Sequence, residues 1–111
     1  MGDTNYFSGI VKVLEVPQES LVNDHSVMIV FRAEVSQNRK NKIILLGFWG
    51  VLGDKVKNFY KPNDYILIEG YISLRNKPIV NLVTRNSKQV TITVLKVYPF
   101  LLNPNRNFSQ I

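Results

Sequence analysis

Two kinds of side chain in this sequence could carry chemistry: flat aromatic rings and basic groups. The only tryptophan, Trp49, ends an apolar run and stands between Gly47 and Gly50 with Phe48 beside it. Tyr71 lies in a long alternating segment further along the chain. Rings held at a surface can stack on nucleic-acid bases, and each stacked base contributes about 1–3 kcal/mol to single-strand binding.

The basic groups could bind phosphate. The chain has 14 Lys and Arg against 8 Asp and Glu, a formal net charge of +6, which favours an anionic partner such as nucleic acid or a membrane surface. A solubility role would explain the same charge without any partner. The basic residues on the second predicted strand and near the predicted hairpins are Arg32, Arg39, Lys40, Lys42, Arg75, Lys77 and Arg85.

Other chemistries find little support in the sequence. There is no cysteine, which excludes disulfides, thiolate metal sites and thiol catalysis. The single histidine, His25, lies in a polar segment. No glycine-rich phosphate loop or nucleophile motif occurs, and no two carboxylates share a predicted face. We therefore expect no enzyme, cofactor or metal site, and no apolar run is long enough to cross a membrane.

The elements that would position these residues are mainly strands. Alternating apolar residues between turn signals predict strands at 6–16, 26–35, 43–49, 65–75 and 90–98, with a short hairpin arm at 79–83. The segment DKVKNFY, 54–60, has helical spacing. Residues 17–25 and 36–42 are polar and are predicted as loops.

This order predicts an all-β fold. Three strands, a short helix and two further strands are typical of an OB-fold, a five-stranded Greek-key barrel with one short helix between strands three and four. Gly70, in the interior of a predicted strand, suits the bend that a small barrel needs. A different small barrel or sandwich is the main alternative. We expect a single OB domain over 1–102 and a short flexible tail over 103–111.

The alternation also separates the core from the surface. Ile44, Leu46 and Phe48 are expected inside the barrel, with Trp49 outside and Gly47 leaving room beside it for a base. The alternative for Trp49 is that it caps the barrel against the helix, with its indole N–H bonded locally. The aromatic residues expected in the core are Phe7, Phe31, Phe48, Phe59 and Tyr60.

Residues 48–75, FWGVLGDKVKNFYKPNDYILIEGYISLR, resemble the central block of the bacterial single-stranded-DNA-binding protein family. The matching features are the aromatic-glycine pair Trp49-Gly50, the helix end and turn at 59–64, Ile68-Glu69-Gly70, and a basic residue at Arg75. FSGIVKV and TITVLKV resemble the first and last strands of the family. The whole chain looks most like its short plastid-encoded relatives, the hypothetical chloroplast reading frames.

The resemblance implies an OB-fold that binds single-stranded DNA without sequence preference. Trp49 and Tyr71 would stack bases, and the basic residues named above would meet phosphates. RNA in place of DNA is an open alternative, since no residue is identified that reads a 2′-hydroxyl. The family also implies a homo-oligomer, a dimer or tetramer, in the plastid stroma or a bacterial cytoplasm. Its other stacking positions fall at Ile43 and near Gln37 and Lys77, so at most one of those platforms survives, and its acidic C-terminal tail has no counterpart here.

A second function from a different class competes with this one. Ile43, Leu45 and Leu67 are expected to point outward, and an outward apolar patch suits a protein partner better than a phosphate backbone. The alternative function is therefore that of an OB-fold structural subunit or assembly factor, using the same face for protein–protein contact.

Overall fold

The computed structural model describes residues 5–37, 40–76 and 88–104. Within these residues there are six strands and one helix. They are β1 (Tyr6–Val13), β2 (Gln18–Asn23), β3 (Ser26–Gln37), β4 (Lys40–Trp49), α1 (Gly50–Phe59), β5 (Tyr65–Asn76) and β6 (Lys88–Leu101). No helix of this described part is long and apolar enough to span a bilayer.

Five of the strands close into a barrel. Around the ring, β1 pairs with β5, β5 with β6, β6 with β4, and β4 with β3. The ring closes where Lys12 and Val13 of β1 lie opposite Glu34 and Ala33 of β3. All of these pairings are antiparallel except that of β4 with β6, which is parallel. The remaining strand, β2, pairs with β3 alone and forms an arm beside the barrel.

The predicted all-β class with one short helix is confirmed, but the strand count was wrong. The described residues contain six strands, one more than predicted, and the helix lies between β4 and β5, which are the third and fourth strands of the five-stranded barrel. The unpredicted strand, β2, occupies the segment predicted as a loop at 17–25. It folds back on β3 through a turn at Asp24–His25. An edge arm pairs its backbone without burying an apolar face, so the alternation that marks a strand is absent.

Two other strand boundaries also differ from the prediction. Strands β3 and β4 continue into the predicted loop 36–42, where Gln37 pairs with Lys40. Strand β6 runs through Pro99, which lies opposite Ile66, to Leu101. Strand β4 pairs with β6 only at residues 91–93. Pro99 lies beyond this pairing, so its missing N–H costs no hydrogen bond to β4. The predicted arm at 79–83 lies outside the described residues.

The core lies inside the ring. Phe31 and Phe48 are fully buried and their rings stack with centroids 5.3 Å apart. Helix α1 covers one end through Val56. Gly53 lets α1 approach β4, because a Cβ there would lie 2.9 Å from the Phe48 carbonyl oxygen. The core prediction was wrong for Phe59, which is 43% exposed at the end of α1.

Gly70 marks the bend of β5 that the sequence predicted. The β5–β6 register shifts between Glu69 and Gly70, as at a β-bulge. A Cβ on Gly70 would lie 2.2 Å from the carbonyl oxygen of Thr93. The two backbones therefore approach closely enough here that only glycine fits.

The end of β6 is tied to the turn that precedes β5. The buried Asp64 carboxylate accepts the backbone N–H of Lys61 at 2.8 Å and that of Asn103 at 2.7 Å. The side-chain amide of Asn103 donates to the Pro62 carbonyl at 3.1 Å. The division into a domain at 1–102 and a tail at 103–111 stays a prediction, with residues 105–111 outside the described part.

Candidate nucleic-acid interface

Trp49 lies on the outside of the barrel, at the last position of β4. Its side chain is 41% exposed, whereas Phe48 beside it is fully buried. Gly50, with φ of +60°, turns the chain directly from the strand into α1. The half-exposed ring therefore lies at the strand–helix junction, on the outside of the barrel.

The space beside Trp49 differs from the expectation. Gly47 is buried, because the side chain of Met28 lies over it on the outer face. A Cβ on Gly47 would lie 2.4 Å from the Met28 methyl carbon. The glycine thus makes room for a methionine from β3, the register partner of Trp49, and not directly for a base.

Register pairs carry one row of residues across the outer face. From β3 to β1 the row reads Val30, Gly47, Thr93, Tyr71 and Tyr6. Trp49 stands two residues from Gly47 along β4, and Tyr71 stands two strands away. These steps are roughly 7 Å and 10 Å, so the two residues lie about 12 Å apart on one face. The structure therefore brings the two predicted stacking residues to the same surface.

Tyr71 has an aromatic neighbour that the sequence analysis missed. Tyr6 packs edge-on against Tyr71, with ring centroids 5.5 Å apart and planes at 73°, and both are about 45% exposed. The Tyr6 hydroxyl donates to Glu69 at 2.7 Å, and this bond raises the pKa of the Tyr6 hydroxyl. Alternation in YFSGIVKV, with Val11 inward, would have placed Tyr6 outside.

Arg32 lies on the outer face of β3, as predicted, but its charge is already engaged. Its side chain donates to Glu15 from Nε at 3.1 Å and Nη2 at 3.0 Å, and its backbone N–H donates to the same carboxylate at 2.8 Å. The side-chain bond lowers the pKa of Glu15 and raises that of Arg32. Any phosphate at Arg32 must therefore compete with Glu15.

The other basic residues divide into two groups. Lys40 and Lys42 are exposed at the start of β4, and Lys42 also lines a cavity of about 260 Å³ at the mouth of the barrel, beside Ile44. The backbone of Arg75 lies opposite Gln89, at the same end of the barrel. Arg39, Lys77 and Arg85 lie outside the described residues.

The three outward apolar residues do not form one patch. Ile43, 53% exposed, and the half-buried Leu45 follow each other on β4. Leu67 instead lies near the opposite end of β5, in a row with Ile10 of β1 and Tyr98 of β6. Ile10 is 42% exposed and Tyr98 48%. The larger apolar surface is thus this second row, away from Ile43.

The sequence comparison identifies the family. The chain is 32% identical over 103 residues to ycf41 of Trieres chinensis, named as a candidate single-stranded DNA-binding protein, and the match covers 89% of this chain and 91% of the relative. No protein-family profile matches the chain. The chain belongs to the single-stranded-DNA-binding protein family, and this relative matches the resemblance to the chloroplast reading frames.

Solved structures agree on the fold. The single-stranded-DNA-binding domain of a Synechococcus protein has a TM-score of 0.67 at 17% identity, covering 88% of this chain and 98% of that one. The mitochondrial protein Rim1 of Saccharomyces cerevisiae gives 0.71 at 5% identity, covering 91% and 98%. The small protein of Streptomyces coelicolor gives 0.69 at 11%, covering 86% and 94%. The barrel therefore has the OB-fold of single-stranded-DNA-binding domains.

Proposed function

We propose that this protein binds single-stranded DNA, without sequence preference, on the outer face of β3, β4, β6 and β5. The observation that carries the proposal is the position of Trp49 and Tyr71, two half-exposed rings on one face of the barrel. Stacking on such rings is indifferent to base identity because every base has a π-face. RNA remains a variant of this proposal.

Phosphate contacts would come from the basic end of the barrel. Lys40 and Lys42 are exposed there on β4, and the backbone of Arg75 lies at the same end on β5, with β6 between the two strands. Arg39, Lys77 and Arg85, which lie outside the described residues, complete the proposed set. Binding by such contacts weakens steeply with salt.

Fluorescence of Trp49 tests the proposal directly, because it is the only tryptophan. Oligothymidylate added to micromolar protein at about 50 mM salt should quench and shift the emission. A matched control is Phe59→Leu, since Phe59 is equally exposed but lies at the end of α1. Absence of quenching at low salt, in the wild-type protein and in Phe59→Leu, would contradict base stacking at Trp49.

A second candidate function is that of an OB-fold structural subunit or assembly factor. The row of Ile10, Leu67 and Tyr98 favours it, because exposed apolar side chains in a contiguous row mark protein contacts. Purification of the native protein with nuclease at high salt distinguishes the two. A stoichiometric protein complex that survives this treatment would favour the subunit role.

We further propose that the protein is a homo-oligomer, a binding protein and not an enzyme, and that it acts in the plastid stroma or a bacterial cytoplasm. The relative ycf41 carries the name of a chloroplast reading frame, which supports the plastid. Static light scattering gives the oligomeric state, and immunolocalisation gives the compartment.

A further inference from the structure

A cleft on the outer face lies between the β2 arm and the barrel. Its volume is about 270 Å³. Its lining residues come from β2, β3, β4 and β6, namely Ser20, Leu21, Val22, Met28, Val30, Leu45, Gly47 and Thr91. Ser20 lies opposite Met28, and Met28 lies opposite Trp49. The cleft therefore continues directly from the edge of the proposed stacking surface.

Thr91 is the unusual residue in this cleft. It is 4% exposed, and its hydroxyl has no hydrogen-bond partner among the described residues. On β6 it lies between Leu45 of β4 and Ser73 of β5, so its side chain shares the outer face with Gly47 and Tyr71. Burial of a hydroxyl without a partner is unfavourable. The hydroxyl oxygen is fully covered, so a ligand that supplies a partner would remove that cost once a neighbouring side chain moves aside.

The lining selects the kind of ligand. Aliphatic side chains and the Met28 thioether form most of the walls, and thioethers pack well against aromatic rings. Hydroxyls of Ser20 and Thr91 are the polar side-chain groups, and no charged side chain lines the cleft. A flat ring with a polar edge fits this surface, whereas a phosphate does not. The volume lies just below the range of sites for drug-sized ligands, which suits one base.

We propose that this cleft holds one nucleobase of the bound single strand, with its polar edge hydrogen-bonded to the Thr91 hydroxyl. The proposal rests on the function proposed above and adds a site that stacking on Trp49 and Tyr71 does not require. A hydroxyl both donates and accepts, so it can bond to the edge of any base. The site therefore adds affinity without sequence preference.

The β2 arm forms one wall of the cleft, and α1 helps to hold it. Lys57 of α1 pairs with Glu19 of β2, and the β2 backbone pairs with β3 from Gln18 to Asn23. The strand that the sequence did not predict is thus the element that converts an open sheet face into a cleft.

The test replaces one buried hydroxyl by a methyl group of similar shape. Thr91→Val should weaken binding of oligothymidylate roughly 2- to 12-fold, which is the range for one neutral hydrogen bond. Its melting temperature should stay equal or rise, because the variant lacks the unpartnered hydroxyl. Ser8→Ala is the control, since it also removes one hydroxyl but from β1, outside the proposed binding face and the cleft. It should bind like the wild type.

A second measurement follows Met28, one of two methionines in the chain. Its methyl resonance, assigned with Met28→Leu, should shift when oligothymidylate is added. An unmoved methyl, unchanged affinity in Thr91→Val, or equal losses in Thr91→Val and Ser8→Ala would overturn the base site while Trp49 quenching still supports DNA binding. Absence of quenching in the wild type would instead remove the proposed function itself.

Discussion

Single residues on the outer face differ in how free they are to meet a ligand. Trp49 is fixed by its backbone at a strand end and half-exposed, whereas Arg32 is engaged by Glu15 through three hydrogen bonds. Residue type alone would rank both as ready contacts. The neighbours of each residue decide what a bound strand must displace.

Trp49→Leu should lower the affinity for oligothymidylate by about 1–3 kcal/mol, or roughly 5- to 150-fold, because the stacking face is lost. Its melting temperature should change little, since the ring is outside the core. Anisotropy of a labelled oligomer measures the affinity without tryptophan. An affinity equal to that of Phe59→Leu would rule out stacking at this position.

Glu15→Gln should strengthen binding, because it leaves the Arg32 guanidinium free for a phosphate. Each additional phosphate contact steepens the plot of log affinity against log salt by about 0.7 for single strands. Titrations between about 50 and 300 mM salt measure this slope. Glu34→Gln, a neighbouring charge change on the same face of β3, is the control for net charge. Equal slopes in both variants would show that Arg32 gains no phosphate.

The same ion pair gives a pH dependence of stability. The hydrogen bonds from Arg32 lower the pKa of Glu15 in the folded state, below its unfolded value of about 4.3. The stabilisation is therefore present above that unfolded pKa and is lost as the pH falls through the lower folded pKa. The wild-type melting temperature should exceed that of Glu15→Gln near pH 6, and the difference should shrink below about pH 4. A constant difference would contradict the assignment.

At the scale of elements, the strands meet at contacts that depend on glycine. Gly70 places β5 against the Thr93 carbonyl of β6, and Gly47 accommodates Met28 of β3. The first contact is with backbone and the second is with the end of a flexible side chain. The cost of adding a methyl group should differ accordingly.

Gly70→Ala should destabilise the fold by about 3 kcal/mol, because backbone cannot move away from the added Cβ without breaking β5–β6 pairing. Gly47→Ala should cost less, since Met28 can rotate, although it would rotate toward the cleft. Chemical denaturation of both variants gives the two free energies of unfolding. Equal destabilisation would show that the bulge at Gly70 tolerates a side chain.

At the scale of the whole molecule, two surfaces lie on different parts of the barrel. Trp49, Tyr71 and the Thr91 cleft share one region, and the row of Ile10, Leu67 and Tyr98 occupies another. A protein contact on the second row would lie toward the Trp49 end of the barrel, since β4 ends and β5 begins at that end. A protein partner there and a bound strand would therefore meet at that end.

Ile10→Lys should dissociate the proposed oligomer, because it places a charge at the β1 end of the apolar row. The monomer should remain folded, since Ile10 is 42% exposed. Light scattering coupled to size exclusion measures the mass. Val51→Lys, on a residue 71% exposed in α1, is the control. A mass equal to that of this control would place the subunit contact elsewhere.

Sequence alone determined the barrel class, the inward alternation of β4 and β5, the bend at Gly70 and the outward position of Trp49. These features depend on the alternation of residues within one strand and on the position of glycine. Both can be read from the residues of that strand alone. The family resemblance in 48–75 was also readable, because it depends on contiguous motifs.

Only the tertiary structure decided the rest. Strand β2 has no apolar alternation, so its pairing with β3 gave no local signal. The Arg32–Glu15 pair, the Met28 cover over Gly47 and the unpartnered Thr91 hydroxyl join residues that are distant along the chain. Such contacts depend on register between strands, and register is fixed by packing of the whole barrel. The outward position of Trp49 could be predicted from its own strand. The cleft beside it is formed by residues of four strands, so it could not.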